Sequence, residues 1–154
     1  MKVKELMTTG LVTISPSATW KEAAELMAEK NISAVPVVDE NEKILGILSE
    51  KDLFRSLFPS YKEVMETPHG YLDFEKMEER IEDASKRIVE EIMAKRLITA
   101  EPETPIFKVG ALMVASGIHQ VPVVENGRLV GMVKRGKIYN AILREHFGVS
   151  RNKD

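Results

Sequence analysis

The chain has 154 residues, 44% hydrophobic and 30% charged, which is the composition of a globular protein rather than a disordered one. Its 24 acidic and 22 basic residues nearly cancel, so the net charge provides no general attraction to nucleic acid or anionic membrane. The sequence has no cysteine, which excludes disulfides, thiolate catalysis and thiolate metal sites. It also lacks an apolar run of the roughly 18 residues that span a bilayer, and an apolar secretory signal, so we expect a cytoplasmic protein.

The strongest signal is an internal repeat. Residues 5–38 align with residues 91–124 at an offset of 86, and 12 of these 34 paired positions are identical. One residue is lost at a turn, after which Gly46 pairs with Gly131 at an offset of 85. The sequence therefore predicts two copies of a unit of about 55 residues. Because one copy is too small to bury much core, we expect the two copies to pack against each other.

In the first copy, the β-branched run at residues 11–15 predicts a strand. Thr19 and Glu22 then form a capping-box pattern that starts a helix. Two apolar runs follow and predict a hairpin, after which a last helix begins near Asp52. The apolar residues that recur at helical spacing in the first helix are Trp20, Ala23, Ala24 and Met27.

The second copy predicts the same elements in the same order. Residues 97–101 predict a strand, Thr104 before Pro105 predicts a helix start, and Asn126-Gly127 predicts a tight hairpin turn. A last helix begins near Lys137. The apolar face expected on the first helix of this copy is Phe107, Gly110, Ala111 and Val114. The predicted fold class is α/β in the α+β sense, with two β-α-β-β-α repeats.

Between the copies lies an insert at residues 59–90, so the chain divides into segments 1–58, 59–90 and 91–154. The sequence at 73–93 predicts one amphipathic helix. Its apolar stripe is Phe74, Met77, Ile81, Ala84 and Ile88. Two interpretations stay open: a linker helix that docks on the repeats, or a contact between two copies of the chain. Met7, Met27, Met93 and Met113 fall in equivalent pairs, which favours core packing for them.

Both copies resemble the cystathionine-β-synthase (CBS) domain, and the pair resembles the tandem arrangement called a Bateman module. The resemblance rests on residues 3–19 and 31–53 in the first copy and on residues 89–105 and 117–138 in the second. It implies two repeats packed about a pseudo-two-fold axis, with two equivalent clefts between them. In many members these clefts bind AMP, ADP, ATP or S-adenosyl compounds, and binding regulates an attached or partner protein. Members usually form disc-shaped dimers, so a homodimer is expected.

The stretch 46–52 of the first copy matches the ligand motif of this family. The resemblance implies that Asp52 accepts hydrogen bonds from the ribose hydroxyls and that Ser49 donates to a phosphate. The alternative is that both residues simply cap the following helix. The wall expected to face adenine, with ordinary strand core as its alternative, consists of Thr13, Ile14, Ser33, Ala34, Val35 and Pro36.

The second copy departs from the motif, because Lys134 and Lys137 stand at the Ser/Thr and Asp positions. A lysine cannot accept a hydrogen bond from ribose. Either this cleft is empty, or Lys134, Arg135, Lys137 and His119 serve the phosphates of a nucleotide held mainly by the first copy. A solvated basic loop is the third interpretation. No motif for a metal, a catalytic cofactor or a catalytic residue was found.

We therefore expect a regulatory module, not an enzyme, that senses AMP, ADP or ATP in the cleft between the repeats and acts on an unidentified partner protein. One alternative is a structural module that dimerises or docks on a partner without any ligand. A second is a binder of S-adenosylmethionine. A third is a nucleic-acid binder that uses residues 134–137, against which the near-neutral charge argues.

Overall fold

The computed structural model describes residues 1–66 and 76–150. Within these residues the chain forms two compact units. Unit 1 contains residues 1–11, 40–44 and 98–150, and unit 2 contains residues 12–39, 45–66 and 76–97. Unit 1 thus carries most of the second repeat, and unit 2 carries most of the first repeat and the insert.

Helices and two small sheets build both repeats, which confirms the mixed fold class. Repeat 1 contains a 3-10 helix (Val3–Glu5), α1 (Trp20–Lys30), β1 (Ala34–Val38), β2 (Ile44–Ser49) and α2 (Glu50–Ser56). The insert contains α3 (Tyr61–Glu66) and α4 (Met77–Ser85). Repeat 2 contains α5 (Val89–Ile92), α6 (Ile106–Ser116), β3 (Gln120–Glu125), β4 (Arg128–Lys134) and α7 (Arg135–Phe147). Strand β1 pairs with β2, and β3 pairs with β4.

The strands predicted at 11–15 and 97–101 are wrong, because each run contributes only a single parallel bridge. Ile14 N–H donates to the Pro36 carbonyl at 3.0 Å, and Ala100 N–H donates to the Pro122 carbonyl at 2.9 Å. A turn follows at once in each copy, with Ala18 N–H bonded to the Ser15 carbonyl in the first. The chain turns away before a second bridge can form.

The helix starts follow the sequence only in part. Thr19 caps α1 as predicted, since its hydroxyl accepts the Glu22 N–H at 3.1 Å. The cap of α6 is Pro105 and not Thr104, whose hydroxyl accepts the Glu101 N–H instead. The helices predicted near Asp52 and Lys137 each begin two residues earlier.

The apolar face predicted for α6 is also wrong. Ile106, Val109 and Met113 are buried, whereas Phe107 is 55% and Val114 85% exposed. Because nearly every residue of α6 is apolar, periodicity alone does not single out its inner face. The repeat alignment does, since it pairs the three buried residues with Trp20, Ala23 and Met27 of α1.

The hairpin of repeat 2 has the turn that the sequence predicts. Asn126 and Gly127 both have positive φ values, 52° and 79°, as a type I′ turn requires. They connect the antiparallel pair Glu125 and Arg128. The register shifts by one residue between Val123 and Val124.

The helix predicted over 73–93 is interrupted, so this prediction is wrong. Helix α4 ends at Ser85, Ile88 is extended, and α5 begins at Val89. The backbone between them bonds to the start of α1 instead: Trp20 N–H donates to the Arg87 carbonyl at 2.7 Å. Ile88 therefore leaves the predicted stripe, while α4 packs against α1 with Ala84 buried. Phe74 lies outside the described residues.

Each core is completed by the short segment that precedes the other repeat in the chain. Val3 lies in the core of unit 1, where its N–H bonds the Thr104 carbonyl at 2.9 Å. Val89 lies in the core of unit 2, where its N–H bonds the Ala18 carbonyl at 2.8 Å. The core of unit 1 is Val3, Ala100, Ile106, Val109, Met113, Val121, Val123, Val133, Ile138 and Ala141. The core of unit 2 is Ile14, Ala23, Met27, Val35, Val37, Leu48, Leu53 and Val89.

The four paired methionines pack as predicted. Met27 and Met113 are buried in the two cores, and Met7 and Met93 pack against them. Gly46 and Gly131 allow the close approach of the last two. A Cβ atom on Gly46 would lie 2.7 Å from the Met93 Sδ, and one on Gly131 would lie 2.7 Å from the Met7 Sδ. The two equivalent glycines thus leave the space that the two equivalent methionine side chains occupy.

Candidate functional site

Ser49 and Asp52 form a reciprocal capping box at the start of α2. Asp52 N–H donates to Ser49 Oγ at 3.2 Å, while Ser49 N–H and Ser49 Oγ–H both donate to Asp52 Oδ2 at 2.9 Å. The box satisfies backbone donors that the first turn of a helix otherwise leaves without a partner. The capping interpretation of these two residues is therefore confirmed.

The capping box leaves part of the Asp52 carboxylate available. Both of its bonds end on Oδ2, and no described residue donates a hydrogen bond to Oδ1. A carboxylate has about four acceptor sites, so it can cap a helix and accept further donors at once. Asp52 is half-buried in the first turn of α2.

The residues expected to face adenine divide into buried and accessible ones. The side chains of Ile14, Val35 and Pro36 are buried in unit 2, as ordinary strand core would be. Thr13 and Ser33 are exposed. Ala34 is half-buried at the first position of β1. The accessible atoms of this wall are therefore small or polar side chains and not the aliphatic ones.

A backbone bond ties this wall to the capping box. The Ser33 carbonyl accepts the N–H of Glu50, the first residue of α2, at 2.9 Å. Ser33, Ser49 and Asp52 consequently lie around one end of the hairpin in unit 2. The structure thus brings Ser33, Ser49 and Asp52 together, whereas Thr13 precedes Ile14, whose N–H bonds the Pro36 carbonyl.

The start of α7 in unit 1 has the same backbone hydrogen bond as the start of α2 in unit 2, but its side chains carry the opposite charge. The His119 carbonyl accepts the Arg135 N–H at 2.9 Å, just as Ser33 accepts from Glu50. Lys134 is the N-cap residue, no side chain of the described part caps the helix, and its first turn contains no acid. His119, Lys134, Arg135 and Lys137 are all exposed. Lys134, Arg135 and Lys137 lie at the positive end of the α7 dipole, where an anion would be favoured.

Thr8 is a contact residue that the sequence reasoning missed. In unit 1 the Lys137 Nζ donates to the Thr8 Oγ1 at 2.9 Å. Thr8 is itself fixed on β4, since its N–H and carbonyl both bond Met132, at 2.8 and 3.0 Å. The repeat alignment pairs Thr8 with Ala94 and Lys137 with Asp52, but it does not show that Thr8 and Lys137 meet.

Other kinds of site find no support in the described ranges 1–66 and 76–150. No group of three or more His, Asp or Glu side chains there is arranged to hold a metal ion. None of the helices in those ranges is both long enough and apolar enough to cross a membrane.

A family model of the CBS domain matches residues 3–59 and again residues 89–144. The chain belongs to the CBS domain family. Its two matches cover both repeats and leave most of the insert between them, so the chain is a CBS pair, or Bateman module. The CBS fold thus accounts for the helix and hairpin order of both units.

Two relatives differ in how much of their own length is similar to this chain. The uncharacterized protein MJ1426 of Methanocaldococcus jannaschii is 28% identical over 93% of this chain and 92% of its own length. The homoserine O-acetyltransferase of Methanococcus vannielii is 32% identical over 91% of this chain, but over only 24% of the enzyme. A region similar to this chain therefore also occurs within a protein named as an enzyme, where it makes up about a quarter of the length.

Solved CBS pairs have the same fold. The structure of CBSX2 from Arabidopsis thaliana in complex with AMP has a TM-score of 0.71 and 25% identity, covering 93% of this chain and 96% of that one. The CBS pair of MJ0100 in complex with 5′-methylthioadenosine and S-adenosyl-L-methionine has a TM-score of 0.69 and 26% identity, covering 92% and 95%. Both complexes contain adenine nucleosides or nucleotides.

Proposed function

We propose that this CBS pair is a regulatory module that binds an adenine nucleotide (AMP, ADP or ATP) through Asp52 of repeat 1. The observation that carries the proposal is the half-buried Asp52 carboxylate, which caps α2 through Oδ2 and leaves Oδ1 without a described donor. The AMP complex of CBSX2 supports an adenine ligand for this fold.

The chemistry of the site suits a ribose. Two vicinal hydroxyls can each donate to a carboxylate, and Asp52 has acceptor sites that its capping bonds do not use. Thr13, Ser33 and Ala34 would present small and polar surface to the base, while Ile14 and Val35 support them from the core. Ser49 Oγ would reach a phosphate only by exchanging its bond to Asp52.

The cations at the start of α7 are proposed to serve the phosphates. Lys134, Arg135 and His119 are exposed, and α7 has neither an acidic first turn nor a side-chain cap among the described residues. Cations at this helix end do not stabilise the helix itself. A bound phosphate would offset their positive charge and accept hydrogen bonds from backbone N–H groups in the first turn of α7.

Regulation is proposed to follow from differential binding. A ligand that favours one arrangement of the module shifts the population toward it, and a partner that prefers this arrangement then responds. The chain would regulate rather than catalyse. Its similarity to an acetyltransferase covers only 24% of that enzyme, and no acid, base and nucleophile set is seen among the described residues.

Calorimetric titration of the Asp52→Ala variant against AMP, ADP, ATP and S-adenosylmethionine tests the ribose contact. We expect binding to weaken by about 1.5–3 kcal/mol, the range for hydrogen bonds to a charged group. Glu50→Ala is the matched control, because Glu50 is an exposed acid in the same helical turn. Its affinity should be unchanged. Equal losses in both variants would remove Asp52 from the ribose site.

The thermal stability of the unaltered chain, measured with and without ligand, distinguishes the proposed nucleotide binder from a structural module that binds no ligand. At about 100 times the dissociation constant, a ligand should add roughly 2.7 kcal/mol to the free energy of unfolding. A flat response to all four compounds would contradict the proposal and favour a structural module. A response confined to S-adenosylmethionine would favour the second alternative, which the MJ0100 complex supports.

We also propose a homodimer that uses the outer face of α6 and α7. Phe107, Val114, Tyr139 and Phe147 are exposed there, and the Phe107 ring lies 5.9 Å from the ring of His146. Exposed apolar groups clustered on two neighbouring helices are typical of a protein interface. Helix α6 contains no acidic residue, so its part of this face could meet a second copy without burying a carboxylate, whereas α7 carries one exposed acid, Glu145, beside His146 and Phe147.

Sedimentation of the Val114→Glu variant tests this dimer. We expect the dimer to dissociate, because a carboxylate would be buried in an apolar contact. Ala28→Glu, at the equivalent exposed position of α1, is the matched control and should stay dimeric. A monomeric unaltered chain, or equal effects of both variants, would contradict the proposal.

A further inference from the structure

Helix α3 of the insert turns its apolar face to solvent. Tyr61, Val64 and Met65 stand three and four residues apart, so they share one face of the helix. Their exposed fractions are 79%, 42% and 65%, and α3 has no buried residue. A surface helix ordinarily buries its apolar face against the core. In α3 this face is available to a partner.

The polar side of α3 is the side that joins the rest of unit 2. Glu63 pairs with Arg80 of α4 at 3.5 Å, and α4 packs against α1 with Ala84 buried. Residues two apart in a helix point in nearly opposite directions. Since Glu63 is two residues from both Tyr61 and Met65, its ion pair directs the apolar face away from α4.

The chain that enters α3 adds two exposed aromatic rings. Phe54 is 64% and Phe58 43% exposed, and their ring centroids are 4.8 Å apart. Ser60 then begins α3, because its hydroxyl accepts the Glu63 N–H at 3.1 Å. Exposed aromatic and apolar side chains that are this dense along the chain are typical of a protein interface.

The surface next to the apolar face is acidic. The exposed acids of α4, none of which forms an ion pair among the described residues, are Glu78, Glu79, Glu82 and Asp83. On the helix surface Asp83 neighbours Arg80, and Glu79 neighbours Asp83, so acids line the side of α4 that meets α3. The cations Lys76 and Lys86 lie only at the two caps of α4. An acidic border repels an anionic lipid surface and a second copy of itself, and it attracts a basic partner.

We infer that α3 and α4 form a docking surface for a partner protein that offers a basic, apolar segment. Tyr61, Val64 and Met65 receive the apolar side chains of that segment, and Glu79 and Asp83 pair with its Lys or Arg residues. Tyr is frequent among the residues that dominate interfaces, and Met adapts its shape to a partner. This inference does not depend on the proposed nucleotide site.

Fluorescence anisotropy with a defined probe tests the surface. The probe is a labelled peptide of about 14 Leu and Lys residues with Leu at helical spacing, and its counterpart has Glu in place of Lys. The full-length chain should bind the Lys peptide about tenfold more tightly than the Glu peptide, because like charges oppose the Glu peptide. No binding of the Lys peptide, or equal binding of both peptides, would overturn the inference.

A pair of variants tests the apolar face. Tyr61→Ser/Met65→Ser should weaken binding of the Lys peptide about tenfold, since two apolar contacts are lost, and it should keep the unfolding temperature because both side chains are exposed. Val149→Ser, at an exposed apolar residue of unit 1, is the matched control and should bind as the unaltered chain does. Equal affinities of all three proteins would contradict the docking surface.

A second pair tests the acids. Glu79→Gln/Asp83→Asn should weaken binding about threefold at low salt and less at high salt, as expected for exposed charge pairs. Glu29→Gln/Glu101→Gln removes the same charge from exposed positions elsewhere and should have no effect. Equal losses in the two double variants would reduce the attraction to net charge and overturn the inference.

Two other occupants of this face are outcomes of the same test. If Tyr61→Ser/Met65→Ser converts a dimer into a monomer on sedimentation, a second copy of the chain covers the face. If that variant loses binding to vesicles of phosphatidylcholine and phosphatidylglycerol, a lipid surface covers it. Either result would overturn the assignment to a basic protein segment.

Discussion

Repeat 1 and repeat 2 share a backbone and differ in the charge at the start of their last helix. The same bond joins Ser33 to Glu50 in one and His119 to Arg135 in the other, each at 2.9 Å. Yet α2 begins with a Ser49–Asp52 capping box, whereas α7 begins with cations and no side-chain cap among the described residues. Both repeats thus keep the backbone bond at the start of the last helix, but only repeat 1 keeps a side-chain cap. The residues at the cap positions can therefore differ in charge without changing the backbone.

The repeats also differ in how they join the first helix to the last. In unit 2 the Trp20 indole N–H donates to Ser56 Oγ at 2.8 Å and lies 3.2 Å from the Leu53 carbonyl. The equivalent residues in unit 1 are Ile106 and Ala141, which are both buried. A hydrogen-bonded pair and an apolar pair therefore fill the same place. Removing the Trp20 indole would leave its acceptors without this hydrogen bond, which is a cost that the apolar pair does not carry.

The outer faces of the equivalent helices α1 and α6 differ as well. Lys21 and Glu25 of α1 form an exposed ion pair at 3.9 Å. The equivalent residues of α6 are Phe107 and Ala111. A charged face is suited to water and an apolar face to a protein partner, so only repeat 2 is expected to contribute this helix to an interface.

The largest expected effect comes from removing the indole. Trp20→Ala should lower the free energy of unfolding by about 3 kcal/mol, the lower end for Trp→Ala because the ring is only half-buried. Chemical denaturation measures this loss. The exposed neighbour Lys21→Ala is the control and should change stability by no more than about 0.5 kcal/mol. A similar small change for both would show that the Trp20 pair does not support unit 2.

A smaller effect separates the two hairpin glycines. Gly46→Ala should cost about 1–3 kcal/mol, because its Cβ would lie 2.7 Å from the Ala94 carbonyl oxygen, a backbone atom. Gly131→Ala should cost less, because its nearest neighbour is the flexible Met7 thioether. Gly136→Ala in α7 meets no atom within 4 Å and should stabilise the helix. Equal costs at Gly46 and Gly131 would contradict the steric argument.

The cations of repeat 2 allow a finer test with nucleotides. Lys134→Ala should weaken ATP binding by about 1 kcal/mol and AMP binding by less, because only ATP carries distal phosphates for an exposed ammonium to neutralise. Parallel titrations with the two nucleotides measure the difference. An equal loss for both would place Lys134 away from the distal phosphates.

The smallest expected effect concerns the segment that docks on repeat 2. Lys4 and Glu103 form an ion pair there, whose hydrogen bond raises the pKa of Lys4 and lowers the pKa of Glu103. The equivalent pair in repeat 1 is Glu90 and Ser17. Because the folded Glu103 holds its proton less tightly than the unfolded chain does, its small contribution to stability is lost as the pH falls below about 5.

Glu103→Gln tests this contribution. The variant should show a slightly flatter loss of stability on acidification, and added salt should reduce the difference from the unaltered chain because both groups are exposed. Unfolding followed at several pH values measures it. A Glu103→Gln variant with the same acid slope at low salt would show that the pair adds nothing to docking.

Much of the local structure could be predicted from the sequence. The Thr19 cap, the Asn126-Gly127 turn and the core methionines follow from residue chemistry that acts over a few positions. The inner face of α6 could not be predicted from its own periodicity, since an apolar helix offers several faces. The break before Val89 could not be predicted either, because its cause is a distant bond to Ala18.

The sequence by itself determined that there are two repeats, where their hairpins lie, and that Asp52 and Lys137 occupy matching positions with opposite charge. Only the tertiary structure decided which segment completes each core and that Thr8 meets Lys137. The physical reason is that the segments around Val3 and Val89 dock through backbone hydrogen bonds and a few apolar side chains, which include Met7 in one and Met93 in the other. Every residue offers the same backbone groups, and apolar residues occur throughout both repeats, so the local sequence does not identify the partner.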